Sequence, residues 1–276
     1  MDLLLSDIFR PYLLTAIFLA SACLGSFFNV CIWRMPRHES IAWPGSHCPD
    51  CGHPLGLFDN IPILSWLCLR GKCRYCHRPI TPRYLVVELL TAILFTGLVW
   101  WHGPTPLALA YVVFAGVLVI GTFIDFEHYI LPDRLTLGAL AAGLLTSALW
   151  PALHGATTWL DGLIASAIGA ALGGGILLLV GFVGKLVLRK DAMGLGDVKL
   201  LAAIGAILGW KAVLFTILVS SLSGTLTGLA LMACGRRTLA GRIPYGPHLA
   251  LAAILWMFIG PMAVDAYWNW VAAVPR

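Results

Sequence analysis

Charge is what this sequence has least of. Of its 276 residues only 11% are charged, 59% are hydrophobic, and mean hydropathy is +0.87. A soluble globular domain needs more charge than this, so the composition points to a membrane protein. An early basic cluster is also missing: Asp2 and Asp7 precede the first base, Arg10. A secretory signal opens on positive charge, so the first apolar run is expected to be a retained helix, although Ala20-Ser21-Ala22-Cys23 faintly resembles a lipoprotein cleavage site. The chain shows no convincing internal repeat and no low-complexity linker.

What it has in quantity is apolar length. A membrane-crossing helix takes about 20 apolar residues. Eight candidate runs lie at residues 11–33, 84–101, 107–124, 135–150, 163–188, 198–210, 212–234 and 249–268. The expected fold class is therefore an all-α polytopic membrane protein with about eight transmembrane helices. The run at 198–210 is short and carries Gly205 and Gly209, so it reads as a half-span or a helix buried among the others. Small-residue spacings, such as Gly169 with Gly173 and Gly224 with Gly228, predict close helix packing.

The bases sort by side. Placing residues 34–83 in the cytoplasm and alternating from there puts Arg34, Arg37, Arg70, Lys72, Arg74, Arg78, Arg83, Arg134, Lys185, Arg189, Lys190, Lys199, Arg236, Arg237 and Arg242 inside. Only Arg10, Lys211 and Arg276 fall outside. Fifteen of 18 bases on one side is an orientation signal and supports an even number of passes with both ends outside. Bases confined to short loops between apolar runs argue against a nucleic-acid partner; the expected partner surface is the lipid bilayer.

Eight cysteines are present, and four form two close pairs, Cys48-Pro49-Asp50-Cys51 and Cys73-Arg74-Tyr75-Cys76, with 21 residues between them. Each two-residue spacer lets both thiolates of a pair face one ion, and two such pairs complete a tetrahedral site. Zinc is the first choice for four thiolates and iron the second. A cytoplasmic location disfavours disulfides. Paired reactive thiols without metal are the alternative. Cys23, Cys31 and Cys234 lie in or at the end of apolar runs and read as small core residues.

Two acidic segments stand at predicted cytoplasmic helix ends. One is Ile124-Asp125-Phe126-Glu127-His128-Tyr129-Ile130-Leu131-Pro132-Asp133. The other is Gly194-Leu195-Gly196-Asp197-Val198-Lys199. Ionisable groups there are costly and usually functional. Two adjacent carboxylates share a proton, so one can activate water while the other protonates a leaving group. The glycines beside Asp197 offer backbone freedom and close approach. Other roles compete: Asp133 as a helix cap, Lys199 as a neutralising partner of Asp197, Glu127 and His128 as solvated loop residues. On the residues alone, a two-Asp enzyme and a proton-coupled transporter with a zinc-bearing cytoplasmic loop stay even.

The motifs together resemble a known family. These are Gly25-Ser26-Phe27-Phe28-Asn29-Val30-Cys31-Ile32-Trp33-Arg34-Met35-Pro36, the four-cysteine segment and Arg83-Tyr84-Leu85-Val86-Val87-Glu88-Leu89-Leu90. After them come the segment from Asp125 to Asp133, Ala192-Met193-Gly194-Leu195-Gly196-Asp197-Val198-Lys199-Leu200, and Pro244-Tyr245-Gly246-Pro247. In this order they are similar to bacterial type IV prepilin peptidases. The resemblance implies an aspartic endopeptidase of the inner membrane with its active site facing the cytoplasm. It would cleave the leaders of type IV prepilins or type II secretion pseudopilins, then N-methylate the new N-terminus with S-adenosylmethionine.

Asp125 and Asp197 then carry over as the catalytic pair, with Asp133, Gly194, Gly196 and Lys199 as supporting motif residues. The implied division is residues 1–100 for a part associated with methyl transfer and 101–276 for the peptidase. No Gly-rich cofactor signature is present. Asn29, Arg34 and Glu88 are the methyl-transfer candidates, as polar residues at the membrane edge. Equally, Arg34 is suited to snorkelling and Glu88 to pairing with Arg83.

Overall fold

The computed structural model describes residues 9–189, 193–235 and 243–273. The first eight residues, Lys190, Ala192, Arg236, Arg237, Arg242 and Arg276 of the sequence arguments lie outside the described residues. Nine α-helices run through the described residues, with no sheet among them: α1 (Arg10–Arg34), α2 (Leu64–Cys68), α3 (Arg83–His102), α4 (Pro106–His128), α5 (Asp133–Leu149), α6 (Trp159–Leu188), α7 (Leu195–Leu208), α8 (Trp210–Ala233) and α9 (Gly246–Ala273).

Every predicted apolar run is a helix, but not every helix has the length of a pass. Among the described residues six helices, α1, α3, α4, α6, α8 and α9, are long and apolar enough to cross a membrane. Besides the five-residue α2, the exceptions are α5 with 17 residues and α7 with 14. At about 1.5 Å per residue these reach roughly 26 and 21 Å, short of a hydrocarbon core of about 30 Å. Helix α4 also continues through Asp125 to His128, where the sequence suggested a polar interruption.

The chain divides into two compact units, Met1–Ile120 and Gly121–Arg276, with the boundary inside α4. In the first unit α1 packs on α3. Gly25 sets the approach, since a Cβ there would lie 2.7 Å from the Glu88 Cα. Between these helices residues 35–82 form a polar segment that carries α2 and the cysteine pairs.

In the second unit α7 is the core, packed against α5, α6, α8 and α9. Val198 and every residue from Leu200 to Ile207 are buried. A helix surrounded by protein need not meet lipid, which is how a 14-residue segment is tolerated here. Glycines let α6 and α7 touch backbone to backbone: a Cβ on Gly169 would collide with the Gly205 carbonyl, and one on Gly173 with that of Leu201. These contacts run in opposite chain directions, so α6 and α7 are antiparallel. The far end of α7 is pinned by its Ala206 carbonyl, which accepts from Ser166 Oγ at 2.7 Å and faces His154 Nε2 at 3.1 Å.

Asp197 sits at the other end of this pinned helix, so the α6–α7 seam sets its height. Gly169→Ala is expected to destabilise by about 1–3 kcal/mol, because the clash is with backbone that cannot rotate away. Gly175, where an added Cβ would meet nothing within 4 Å, should accept Ala without loss. Thermal unfolding in detergent checks the pair of variants.

Candidate active site

Asp125 is on the last turns of α4 and only 5% exposed. Its Oδ2 accepts the backbone N–H of Gly246 at 3.0 Å. Gly246 is the first residue of α9, where N–H groups lack partners within the helix. The carboxylate therefore lies on the positive end of a helix dipole and completes that helix terminus. A Cβ on Gly246 would lie 2.7 Å from the same Oδ2. Gly246 has no assigned role in the sequence argument. Its signal was a glycine before proline at the head of an apolar run, which reads equally well as a helix start.

Asp197 is in the first turn of α7 and half-buried. Gly194 is the N-cap of α7, and its backbone lies against the Asp197 carboxylate. The charge of Asp125 acts on Asp197, so the structure brings together in one field two acids 72 positions apart in the chain. Asp125 is held by a backbone N–H at the N-terminus of α9, and Asp197 stands in the first turn of α7. The Gly246 bond fixes the direction of the Asp125 carboxylate without using that acid up in an ion pair.

The supporting residues are placed differently from expectation. Gly196 is needed for space, since a Cβ there would be 2.9 Å from that of Leu131. Gly194 would bring a Cβ within 3.1 Å of the Asp197 Oδ2. Neither has a positive φ, so crowding, not conformational freedom, selects glycine. Leu131, buried, lies under Gly121, Gly196 and Gly246, and so spaces α4, α7 and α9 beside the two acids. Asp133 is the first residue of α5, after an N-cap at Pro132, and makes no side-chain cap bond. It pairs instead with Lys199, Nζ to Oδ1 at 2.6 Å. Lys199 therefore neutralises Asp133, not Asp197, and ties the start of α5 to α7.

In the first unit the four cysteines converge: Cys48, Cys51, Cys73 and Cys76 place their sulfurs within 4.8 Å of one another. The Cys48–Cys76 separation is 3.9 Å. A tetrahedral zinc with bonds of about 2.3 Å places its sulfurs roughly 3.8 Å apart, so the set fits one ion. The two halves repeat at an offset of 25 positions, a relation the sequence reading missed. Cys48 N bonds His53 O and Gly52 N bonds Cys48 O; Cys73 N bonds Arg78 O and His77 N bonds Cys73 O. Gly52 and His77 both take φ near +60° to +70°. Isolated bridges His47–Pro54 and Lys72–Pro79 close the turns. The signal was the shared Cys-x-x-Cys-x-x-Pro.

Backbone N–H groups of Cys76 and Tyr75 lower the Cys73 thiol to about 7, while burial and the neighbouring thiols push Cys76 up to about 11, as expected of close thiols that share protons until a metal takes their place. The Arg78–Asp50 ion pair at 3.0 Å and the His53–Tyr75 ring contact join the two halves. Of the cysteines read as core residues, Cys31 is buried while Cys23, on an outward face of α1, and Cys234, the C-cap of α8, are exposed.

The methyl-transfer candidates line the α1–α3 seam and its loop. Asn29 Nδ2 donates to Tyr84 O at 3.1 Å, and its buried Oδ1 has no partner. Glu88 is buried and its Oε2 accepts from Ile63 N at 2.7 Å. Ile63 holds φ +64, strained for a β-branched residue, and the charge-assisted bond helps keep it there. Arg34 donates to the carbonyls of Ser40 at 2.9 Å and Pro44 at 2.7 Å. Its guanidinium thus ties down the loop that follows α1; it does not snorkel.

Comparison with known proteins gives two family matches: Bacterial Peptidase A24 N-terminal domain over residues 19–102, and Type IV leader peptidase family over residues 112–229. A protein of Aeromonas hydrophila named prepilin leader peptidase/N-methyltransferase is 40% identical over 267 residues, covering 87% of this chain and 89% of its own length. The chain belongs to the type IV leader peptidase family. Similar proteins of the same name come from Burkholderia pseudomallei, 35% identical over 86% of this chain and 82% of theirs, and Pseudomonas putida, 33% identical over 89% and 91%. No solved structure matches the chain. Both Asp125 and Asp197 lie within the residues matched by the leader peptidase model.

Proposed function

We propose that this leader peptidase cleaves the leaders of type IV prepilins or type II secretion pseudopilins at the cytoplasmic face of the inner membrane and N-methylates the new N-terminus. The observation that carries the reading is that Asp125, aimed by the Gly246 N–H, and Asp197, in the first turn of α7, are close enough for their charges to interact. The ionised member takes a proton from water as the oxygen attacks the scissile carbonyl. The protonated member gives its proton to the departing amide nitrogen. The two then exchange roles through the shared proton, and no covalent intermediate forms. The Lys199–Asp133 bond and Leu131 keep α5, α7 and the 131–133 link in place around them. The relatives lend the proton-coupled transporter no support.

The charge asymmetry of the sequence supports eight passes, with α5 and α7 as short members shielded by their neighbours. Residues 101–276 would carry the peptidase and residues 1–100 the methyl-transfer part. S-adenosylmethionine supplies a methyl group when bound. The buried acceptors Asn29 Oδ1 and Glu88 suit a cationic group, and Arg34 holds the adjacent loop. The four-cysteine set would hold a structural zinc. Purified protein is expected to contain one zinc per chain, and Cys73→Ser to lose it together with the order of residues 46–80. A metal-free protein with unchanged folding contradicts the zinc assignment. For the whole reading, mass analysis of a prepilin incubated with the protein, with and without S-adenosylmethionine, separates the two halves. Cleavage without added methyl removes the methyltransferase, and an intact prepilin removes both activities.

A further inference from the structure

The segment that links α1 to α3 is not polar throughout. Between its two cysteine pairs, from Leu57 to Leu69, only Asp59, Asn60 and Ser65 are polar. The one acid is turned inward: the Asp59 side chain is 7% exposed and pairs with Arg74 at 2.6 Å. The apolar side chains face out instead. Leu57 is 90% exposed and Phe58 79%, and Leu64 and Leu67, one turn apart on α2, are exposed as well. A loop standing in water is expected to do the reverse, hiding its apolar groups and presenting its charge.

The depth of this stretch explains the inversion. Helices α1 and α3 are both long and apolar enough to cross a membrane. They run antiparallel, with Gly25 against Glu88 and Asn29 Nδ2 bonded to Tyr84 O at 3.1 Å. Asn29 is five residues before the end of α1, so the first turn of α3 lies about 7.5 Å inside that end, at about 1.5 Å per residue. Ile63 gives its N–H to Glu88 Oε2 at 2.7 Å. Side chains lean toward the N-terminus of their helix, so Ile63 stands between the levels of Tyr84 and Glu88. The linking segment therefore folds back more than a helical turn below the end of α1, and α2 starts there, at Leu64. At the same level Val86 and Leu89 of α3 are exposed and apolar, as lipid-facing residues are. An interfacial helix sinks its apolar face about 5–10 Å into the boundary between headgroups and acyl chains, which matches this depth.

Charge and aromatic placement agree with it. Arg70 and Lys72 follow the stretch directly and are exposed, where they meet lipid phosphates. Trp43 is 78% exposed and is held level with the end of α1, because Arg34 donates to the carbonyls of Ser40 and Pro44 on either side of it. Trp favours that headgroup level.

We infer that residues 57–69 are an interfacial anchor, with Leu57, Phe58, Leu64 and Leu67 sunk in the headgroup layer of the membrane and Arg70 and Lys72 on its phosphates. The inference rests on α1 and α3 crossing the membrane and is independent of the peptidase reading.

The test places the photoreactive residue p-benzoylphenylalanine at position 58, 64 or 218 of the full-length protein. Leu218, exposed on the membrane-crossing helix α8, is the lipid-facing reference. The protein is reconstituted in vesicles of phosphatidylethanolamine and phosphatidylglycerol with a prepilin present, irradiated, and weighed by mass spectrometry. Positions 58 and 64 are expected to give phospholipid adducts within about threefold of the yield at 218. No lipid adduct at 58 and 64 while 218 forms one, or adducts with the prepilin in its place, overturns the anchor. Arg70→Gln with Lys72→Gln is expected to lower the yield at 58 at least twofold in these vesicles and to leave it unchanged in phosphatidylcholine. An equal yield in both overturns the role given to the two bases. If the variant at 64 does not fold, position 58, where one aromatic ring replaces another, decides alone.

Discussion

Asp125→Asn and Asp197→Asn are each expected to reduce leader cleavage by at least about a thousandfold while leaving the protein folded. Asparagine keeps the shape of the side chain and, at position 125, can still accept the Gly246 N–H through its oxygen. What it cannot do is take or give the shared proton. The loss should therefore fall on kcat, with KM little changed. It should be the same for every substrate. Detergent unfolding temperature and the extent of membrane insertion, compared with wild type, check that the fold is kept. Cleavage at a wild-type rate by either variant would remove that acid from the mechanism.

Gly246→Ala is expected to cost about a hundredfold or more in cleavage, again with folding kept. A new Cβ would lie 2.7 Å from Asp125 Oδ2 and 3.3 Å from Leu131 Cδ1. The atom most easily moved is the carboxylate oxygen, at the end of a side chain. Relief therefore comes from swinging the carboxyl away, which breaks the 3.0 Å bond to the Gly246 N–H. The helix itself tolerates Ala, so stability is spared while the aim of the catalytic group is lost. Gly138→Ala, on α5 with nothing within 4 Å, is the matching control and should cleave normally. A Gly246→Ala variant with normal cleavage would mean that Asp125 does not need its helix-terminal partner.

The sequence made the helices legible because long apolar runs have little else they can be in a membrane. It made Asp125 and Asp197 legible because acids among apolar residues are costly and stand out. It made the cysteine site legible because two-residue spacing is what a tetrahedral ion requires. The partners of these residues were not legible. Lys199 is two positions from Asp197 but bonds Asp133 across the unit, and Glu88 bonds a backbone N–H 25 positions away instead of nearby Arg83. Gly246 and Leu131 act through space they leave or fill, and apolar or glycine positions of that kind look alike in a sequence. The length of each pass was legible only in part, for a related reason. Hydropathy marks α7 as apolar, but its burial by protein, which permits its short length, comes from packing.

The central claim is that the two acids act as one unit, and a double-mutant cycle tests it most directly. Cleavage of one prepilin would be timed for wild type, Asp125→Asn, Asp197→Asn and the double variant under identical conditions. A shared-proton pair predicts a double variant no slower than either single one, since the first substitution already disables the unit. Losses that multiply, or one single variant that retains cleavage, would show two acids working independently and would contradict the account.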